Sequence, residues 1–177
     1  MAGYIMAVEN HTDVYFEHRS LEQITGDLSE LLMRRHLHLT TAESCTGGKL
    51  ASALCAAENT PEWFGIGFVT FNDDAKAHIL GVSRETLAEH TAVSEAVARE
   101  MAEGARQRAE QDIAISITGY GGPDDGEDGT PAGTVWFGWS FDDRTETAVK
   151  RFGGECEEVL DQAVTFALGE LLDKLMS

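Results

Sequence analysis

The chain has 177 residues, 42% of them hydrophobic, with 13 Lys and Arg against 31 Asp and Glu for a formal net charge of −18. That length suits one domain with a substantial core. The charge opposes phosphate-rich surfaces, so the expected partners include no nucleic acid and no membrane. The three cysteines, Cys45, Cys55 and Cys156, are widely spaced, with no CxxC and no histidine at ligand spacing. This pattern indicates neither a disulfide framework nor a metal site, and it fits a reducing, cytoplasmic compartment. No apolar run approaches the roughly 20 residues that span a bilayer.

Residues 1–19 mix Tyr4, Ile5, Val8, Val14, Tyr15 and Phe16 with polar residues and show no sustained period. They are read as an N-terminal extension, with Met6 a second candidate start, ahead of a single domain over residues 20–177. Leu21, Ile24, Leu28, Leu31 and Leu32 then recur at helical steps behind Ser20, a plausible N-cap. A short strand over Leu37–Ala42 leads to the turn Glu43-Ser44-Cys45-Thr46-Gly47-Gly48, and a helix is expected over Gly48–Ala57. A second strand, Gly65–Phe71, delivers the chain to Asn72-Asp73-Asp74-Ala75-Lys76, a stretch suited to opening a helix.

A short helix over Ser83–Glu89, a longer one from Ser94 to about Ala109 and an apolar strand over Asp112–Gly119 follow. Gly119 to Pro131 is a loop with five glycines, two prolines and four acids. Gly133–Phe141 and Thr147–Phe152 read as a hairpin, and Glu155–Met176 as the last helix. Alternation of helix and strand followed by a hairpin predicts a three-layer α/β/α sandwich around a mixed, mostly parallel sheet.

Ligands of such sheets gather just past strand ends, where Ser44, Lys76 and Thr118 all fall. A hydroxyl at the Ser44 turn sits beside helix N-terminal amides that suit either an oxyanion or a bound phosphate. Cys45 is a second candidate nucleophile there, weighed against a small packed thiol. For Glu43 the choice lies between orienting Lys76 and capping a helix.

The run Thr41-Ala42-Glu43-Ser44-Cys45-Thr46-Gly47-Gly48, with Trp63-Phe64, Gly67-Phe68-Val69-Thr70, Ala75-Lys76, Ala92-Val93-Ser94-Glu95 and Gly133-Thr134-Val135-Trp136-Phe137, resembles the CinA C-terminal, or PncC, family of nicotinamide mononucleotide deamidases. The match runs from about Leu21 to Leu175 in one order. The resemblance implies hydrolysis of the carboxamide of nicotinamide mononucleotide, a small-molecule nucleotide substrate, with no cofactor and no metal. It also implies self-association as a homodimer or higher homo-oligomer.

By motif position the resemblance puts the nucleophile on Ser44, the active-site lysine on Lys76 and a hydroxyl residue on Thr118. The substrate-binding positions implied are Glu43, Cys45, Thr46, Gly47, Gly48, Phe71, Gly119, Tyr120, Gly121 and Gly122. Three positions depart from the family pattern: Phe71 stands where the family has a tyrosine, Cys156 where it has an arginine, and Thr130 where a lysine is frequent. Two further readings follow from these departures: a catalytically inactive paralogue that keeps the pocket as a ligand-binding or regulatory module, and an amidase for a substrate without a phosphate.

Overall fold

The structure is a computed structural model that describes residues 19–177. The expected extension lies outside the described residues except for Arg19, which ion-pairs with Asp27 at 2.7 Å. Helix α1 (Leu21–Arg35) opens on a capping box in which Ser20 and Gln23 satisfy each other's backbone amides. It closes on His36 in the left-handed region, and the Leu37 amide returns to the Leu32 carbonyl. This closure uses the residues expected to begin the first strand, so β1 is Leu39–Glu43.

The remaining elements are α2 (Lys49–Cys55), β2 (Phe64–Val69), α3 (Asp73–Leu80), α4 (Arg84–His90), α5 (Glu95–Ala109), β3 (Ile113–Gly119), β4 (Thr134–Ser140), β5 (Thr145–Arg151) and α6 (Cys156–Met176). Strand β2 stops two residues before the expected Phe71, because Asn72 caps α3 through its side chain on the Ala75 amide. The sheet order is β2-β1-β3-β4-β5, parallel for β1 with β2 and β3, antiparallel for β3 with β4 and β4 with β5. Four strands therefore run one way and β4 opposes them.

Helices α1, α2 and α6 pack together on one face, while α5 covers the other and carries α3 and α4 on its outer side. A core of Leu28, Leu32, Ile115, Phe137, Trp139 and Leu168 fills the first interface, and Ala42, Leu80, Val97 and Met101 fill the second. Strand β3 is buried on both faces, as its continuous apolar run predicts. The chain leaves β1 toward β2 on one side and returns to β3 on the other. The carboxyl ends of β1 and β3 thus flank a topological switch point, the usual ligand crevice of an open α/β sheet.

Candidate active site

Glu43 ends β1 opposite Ile117 of β3, and the Ser44 amide extends the ladder to the Ile117 carbonyl at 3.0 Å. The turn that follows needs Gly47 at φ 55° and Gly48 at φ 104°, a region that side chains avoid. Gly48 is the N-cap of α2 and has no side chain with which to cap. Glu43 supplies the missing acceptor: Oε1 takes the Leu50 amide at 2.8 Å and the Thr46 hydroxyl at 2.6 Å, and Oε2 takes the Ala51 amide at 3.1 Å.

Glu43 is therefore a fully buried cap beneath the turn and makes no contact with Lys76 in this network. The α2 amides expected to hold an anion are also taken. Gly47 donates to the Ser44 carbonyl, Lys49 to the Thr46 carbonyl, and Leu50 and Ala51 to Glu43. Hydrogen bonds to a buried charge contribute roughly 1.5–3 kcal/mol each. Glu43→Gln, which turns one acceptor into a donor facing these amides, is expected to cost about 2–3 kcal/mol in urea unfolding.

Lys76 sits one turn into α3, 1% exposed, with its Nζ 3.0 Å from Ser44 Oγ, 2.9 Å from the Thr70 carbonyl and 3.5 Å from the Phe71 carbonyl. An ammonium has three N–H donors and here three acceptors. As a neutral amine it keeps two N–H groups for the carbonyls and turns its lone pair to the Ser44 hydroxyl. Burial holds the Lys76 pKa below the ordinary lysine value, opposed by the Asp73 carboxylate. Burial pushes the Cys45 thiol up to about 12, so Cys45 stays protonated at neutral pH.

Ser44 and Lys76 line a cavity of about 390 Å³ with Cys45, Phe71, Thr118, Gly119, Tyr120, Gly121 and Gly122. Thr46, Gly47 and Gly48 fall outside that lining and, with Glu43, build the turn from behind. Thr118 donates its hydroxyl to the Ala92 carbonyl at 2.9 Å, which pins Ala92 and Val93 against the cavity. Phe71 is 69% exposed at the cavity wall, its ring 3.7 Å from where a side chain on Gly47 would begin.

Sequence reading missed Asp73 and Asp124, which line the same cavity, as does Leu160 beside Cys156. Asp73 opens α3 three residues before Lys76, and that helical spacing was the available signal. The glycine-rich loop is tied down by its own acids. Asp125 accepts from the Ala132 amide at 2.8 Å, and Asp128 accepts from the Thr130 amide at 2.9 Å and the Thr91 hydroxyl at 2.7 Å. Among the described residues, no group of His, Cys, Asp and Glu could hold a metal ion, and no helix is long and apolar enough to cross a membrane.

Fold and site together define an α/β/α sandwich protein with a buried serine–lysine pair at the carboxyl edge of its sheet. A model of the CinA C-terminal domain matches residues 21–175, and the chain belongs to that family. It is 60% identical over 157 residues to protein YdeJ of Escherichia coli K12, covering 89% of this chain and 91% of that protein. It is also 42% identical over 158 residues to the nicotinamide-nucleotide amidohydrolase PncC of the same strain, covering 88% and 95%. The crystal structure of the competence damage-inducible protein A from Klebsiella pneumoniae superposes with a TM-score of 0.88 at 51% identity, covering 89% of this chain and 98% of that one.

Proposed function

We propose that this chain is a carboxamide hydrolase of the nicotinamide-nucleotide amidase type, in which Ser44 is the nucleophile and Lys76 the base. The observation that carries this reading is the buried Nζ to Oγ contact of 3.0 Å, with both remaining N–H directions of Lys76 pointed at backbone carbonyls. The reference substrate is nicotinamide mononucleotide, and the products are nicotinic acid mononucleotide and ammonia. The likeness to PncC supports the reaction class.

Neutral Lys76 takes the Ser44 proton as Oγ bonds to the carboxamide carbon, giving a tetrahedral oxyanion. With the Gly47 amide already engaged and Thr46 behind the turn, the amide of Cys45, which lines the cavity, is the candidate oxyanion donor. Collapse breaks the C–N bond, and Lys76 returns its proton to the departing ammonia. Water then attacks the Ser44 ester, gives its proton to Lys76, and releases the carboxylate while Ser44 regains its hydrogen. Thr118 acts as a positioning residue, because its proton is committed to Ala92.

The base must be unprotonated, so ammonia release is expected to rise with pH through a pKa below the ordinary lysine value of roughly 10.4. Asp73 favours the ammonium. Asp73→Asn is therefore expected to lower the Lys76 pKa further and move the rising limb of kcat/KM to lower pH. A limb that stays in place or moves upward contradicts the assignment of Lys76 as base.

One observation favours a second reading, a pocket kept for binding alone: Phe71 brings a ring without a hydroxyl to the cavity wall. Incubating the purified protein with nicotinamide mononucleotide and following ammonia separates the two. Activity of the native chain rejects the silent pocket, whereas activity appearing only with Phe71→Tyr and Cys156→Arg together supports it.

A further inference from the structure

The charges around the serine–lysine cavity have one dominant sign. Of its lining side chains, Asp73 and Asp124 are acids and Lys76 is the single base, which the proposed chemistry uses in its neutral form. Tyr120 brings an aromatic ring to the same lining and is rigidly set, its amide bonded to the Thr134 carbonyl at 3.0 Å and its carbonyl to the Gly133 amide at 2.7 Å. The ring rests on Gly126, where a Cβ would stand 2.3 Å from Cε2. Burial, followed by the carboxylates of Asp128, Glu127 and Asp73, holds the phenol above its usual range, so the loop's acids act on this part of the cavity.

A second cavity of about 460 Å³ shares Gly121, Gly122, Pro123 and Cys156 with the first. Its glycines and the first turn of the 21-residue α6 are features that bind phosphate in other proteins. In this chain the turn is filled by its own carboxylates. The Glu155 side chain accepts from the Glu158 amide and the Glu158 side chain accepts from the Glu155 amide at 2.8 Å, while Glu157 ion-pairs with Lys49 at 3.6 Å. Arg151, the one cation in the lining, already donates Nε to the Ala132 carbonyl at 3.4 Å.

We infer that the two neighbouring cavities take a pyridinium carboxamide carrying ribose without its 5′-phosphate, and that Asp73 and Asp124 in the first and the Glu155–Glu158 capping pair at the second exclude the phosphorylated form. This rests on the reading of the site as a pyridine carboxamide hydrolase and specifies its substrate class. The riboside has a single positive charge on an aromatic ring, matched by the aromatic side chains of Phe71 and Tyr120 and the carboxylates of Asp73 and Asp124 in the same lining. The mononucleotide adds a phosphate at the second cavity, whose charged lining is Arg151 balanced by Glu155 and whose Glu155 and Glu158 amides are already bonded to carboxylates. With a Debye length of about 8 Å at physiological salt, the repulsion acts at close range and weakens as salt is added. The net charge of −18 adds to it by attracting the cation and repelling the anion during approach.

The test separates recognition from turnover. Titration calorimetry of the Ser44→Ala protein with nicotinamide riboside and with nicotinamide mononucleotide reads recognition alone, while ammonia release by the native protein from each compound reads turnover. The riboside is expected to bind at least about tenfold tighter, a difference that is 1.4 kcal/mol by definition. Asp124→Asn with Glu155→Ser, which keeps a capping side chain, is expected to narrow that gap by strengthening the mononucleotide. Equal or tighter binding of the mononucleotide overturns the inference, as does a gap unmoved by the double variant. Preferential riboside binding without ammonia release from either compound upholds the inference about recognition and overturns the hydrolase reading. Binding of neither compound overturns both.

Discussion

Ser44→Ala is expected to reduce ammonia release by about 10⁴-fold or more, because loss of the nucleophile in a serine hydrolase removes the covalent route outright. Lys76→Met, which keeps the length of the side chain, is expected to cost roughly 10²–10⁴-fold as the loss of a general base. In the proposed reaction both residues act in one proton transfer, so the double variant should be hardly worse than Ser44→Ala alone. Additive losses would mean that the two side chains act independently despite the 3.0 Å contact. The fold should survive each change. Lys76→Met removes a buried amine whose desolvation opposes folding, and its melting temperature is expected to stay within a few degrees of the parent.

Gly104→Ala should have a large effect on stability for a single added methyl. Gly104 lies on α5 where the backbone of α3 crosses it, and a Cβ there would stand 1.9 Å from the Leu80 carbonyl oxygen. Backbone cannot rotate away as a side-chain tip can, so the two helices must separate. The expected cost is about 3 kcal/mol, roughly 6–12 °C in melting temperature for a domain of this size. Helix α3 also carries Lys76, so activity should fall more than the unfolded fraction explains. Gly26→Ala is the control: it lies in α1, where an added Cβ would meet nothing within 4 Å, and it should stabilise by about 0.5–1 kcal/mol. Similar melting shifts for the two variants would contradict the packing described for α3 and α5.

Much of this arrangement was legible in the sequence because it is local. The apolar periods of α1, α5 and α6 mark the outer layers, and Ser44 and Lys76 each follow a strand that the sequence marks, whereas Thr118, expected past a strand end, is the penultimate residue of β3 and pairs with Trp136. What the sequence hid depends on contacts made across the chain. Glu43 reads equally well as an orienting acid or a cap, and only the return of α2 over β1 makes it the acceptor for Leu50 and Ala51. Thr118 reads as a free hydroxyl until the Ala92 carbonyl arrives from the α4 to α5 connection. The sequence of the glycine-rich loop reads as a long flexible turn, yet Asp125 and Asp128 hold it closed by hydrogen bonds to its own later residues and to Thr91.

Phe71 and Cys156 illustrate the same division. Their identities are plain in the sequence, whereas their shared place on one cavity wall, with Tyr120 and Asp124, requires the loop after β3 and the start of α6 to meet. Gly121 makes that meeting close, since a Cβ on it would lie 2.7 Å from Cys156 Sγ. The charge of the neighbourhood, rather than any one substitution, is what the fold adds to the sequence reading.

The central claim is that Ser44 bonds to the carboxamide carbon. Native protein mixed with nicotinamide riboside or mononucleotide, quenched in acid during turnover and digested, can be read by mass spectrometry for the peptide that contains Ser44. An acyl ester on Ser44 that forms with the release of ammonia, and is absent from the Lys76→Met protein, is the expected result. Sustained ammonia release with the Ser44 peptide unmodified at every quench time, and undiminished in Ser44→Ala, would contradict it.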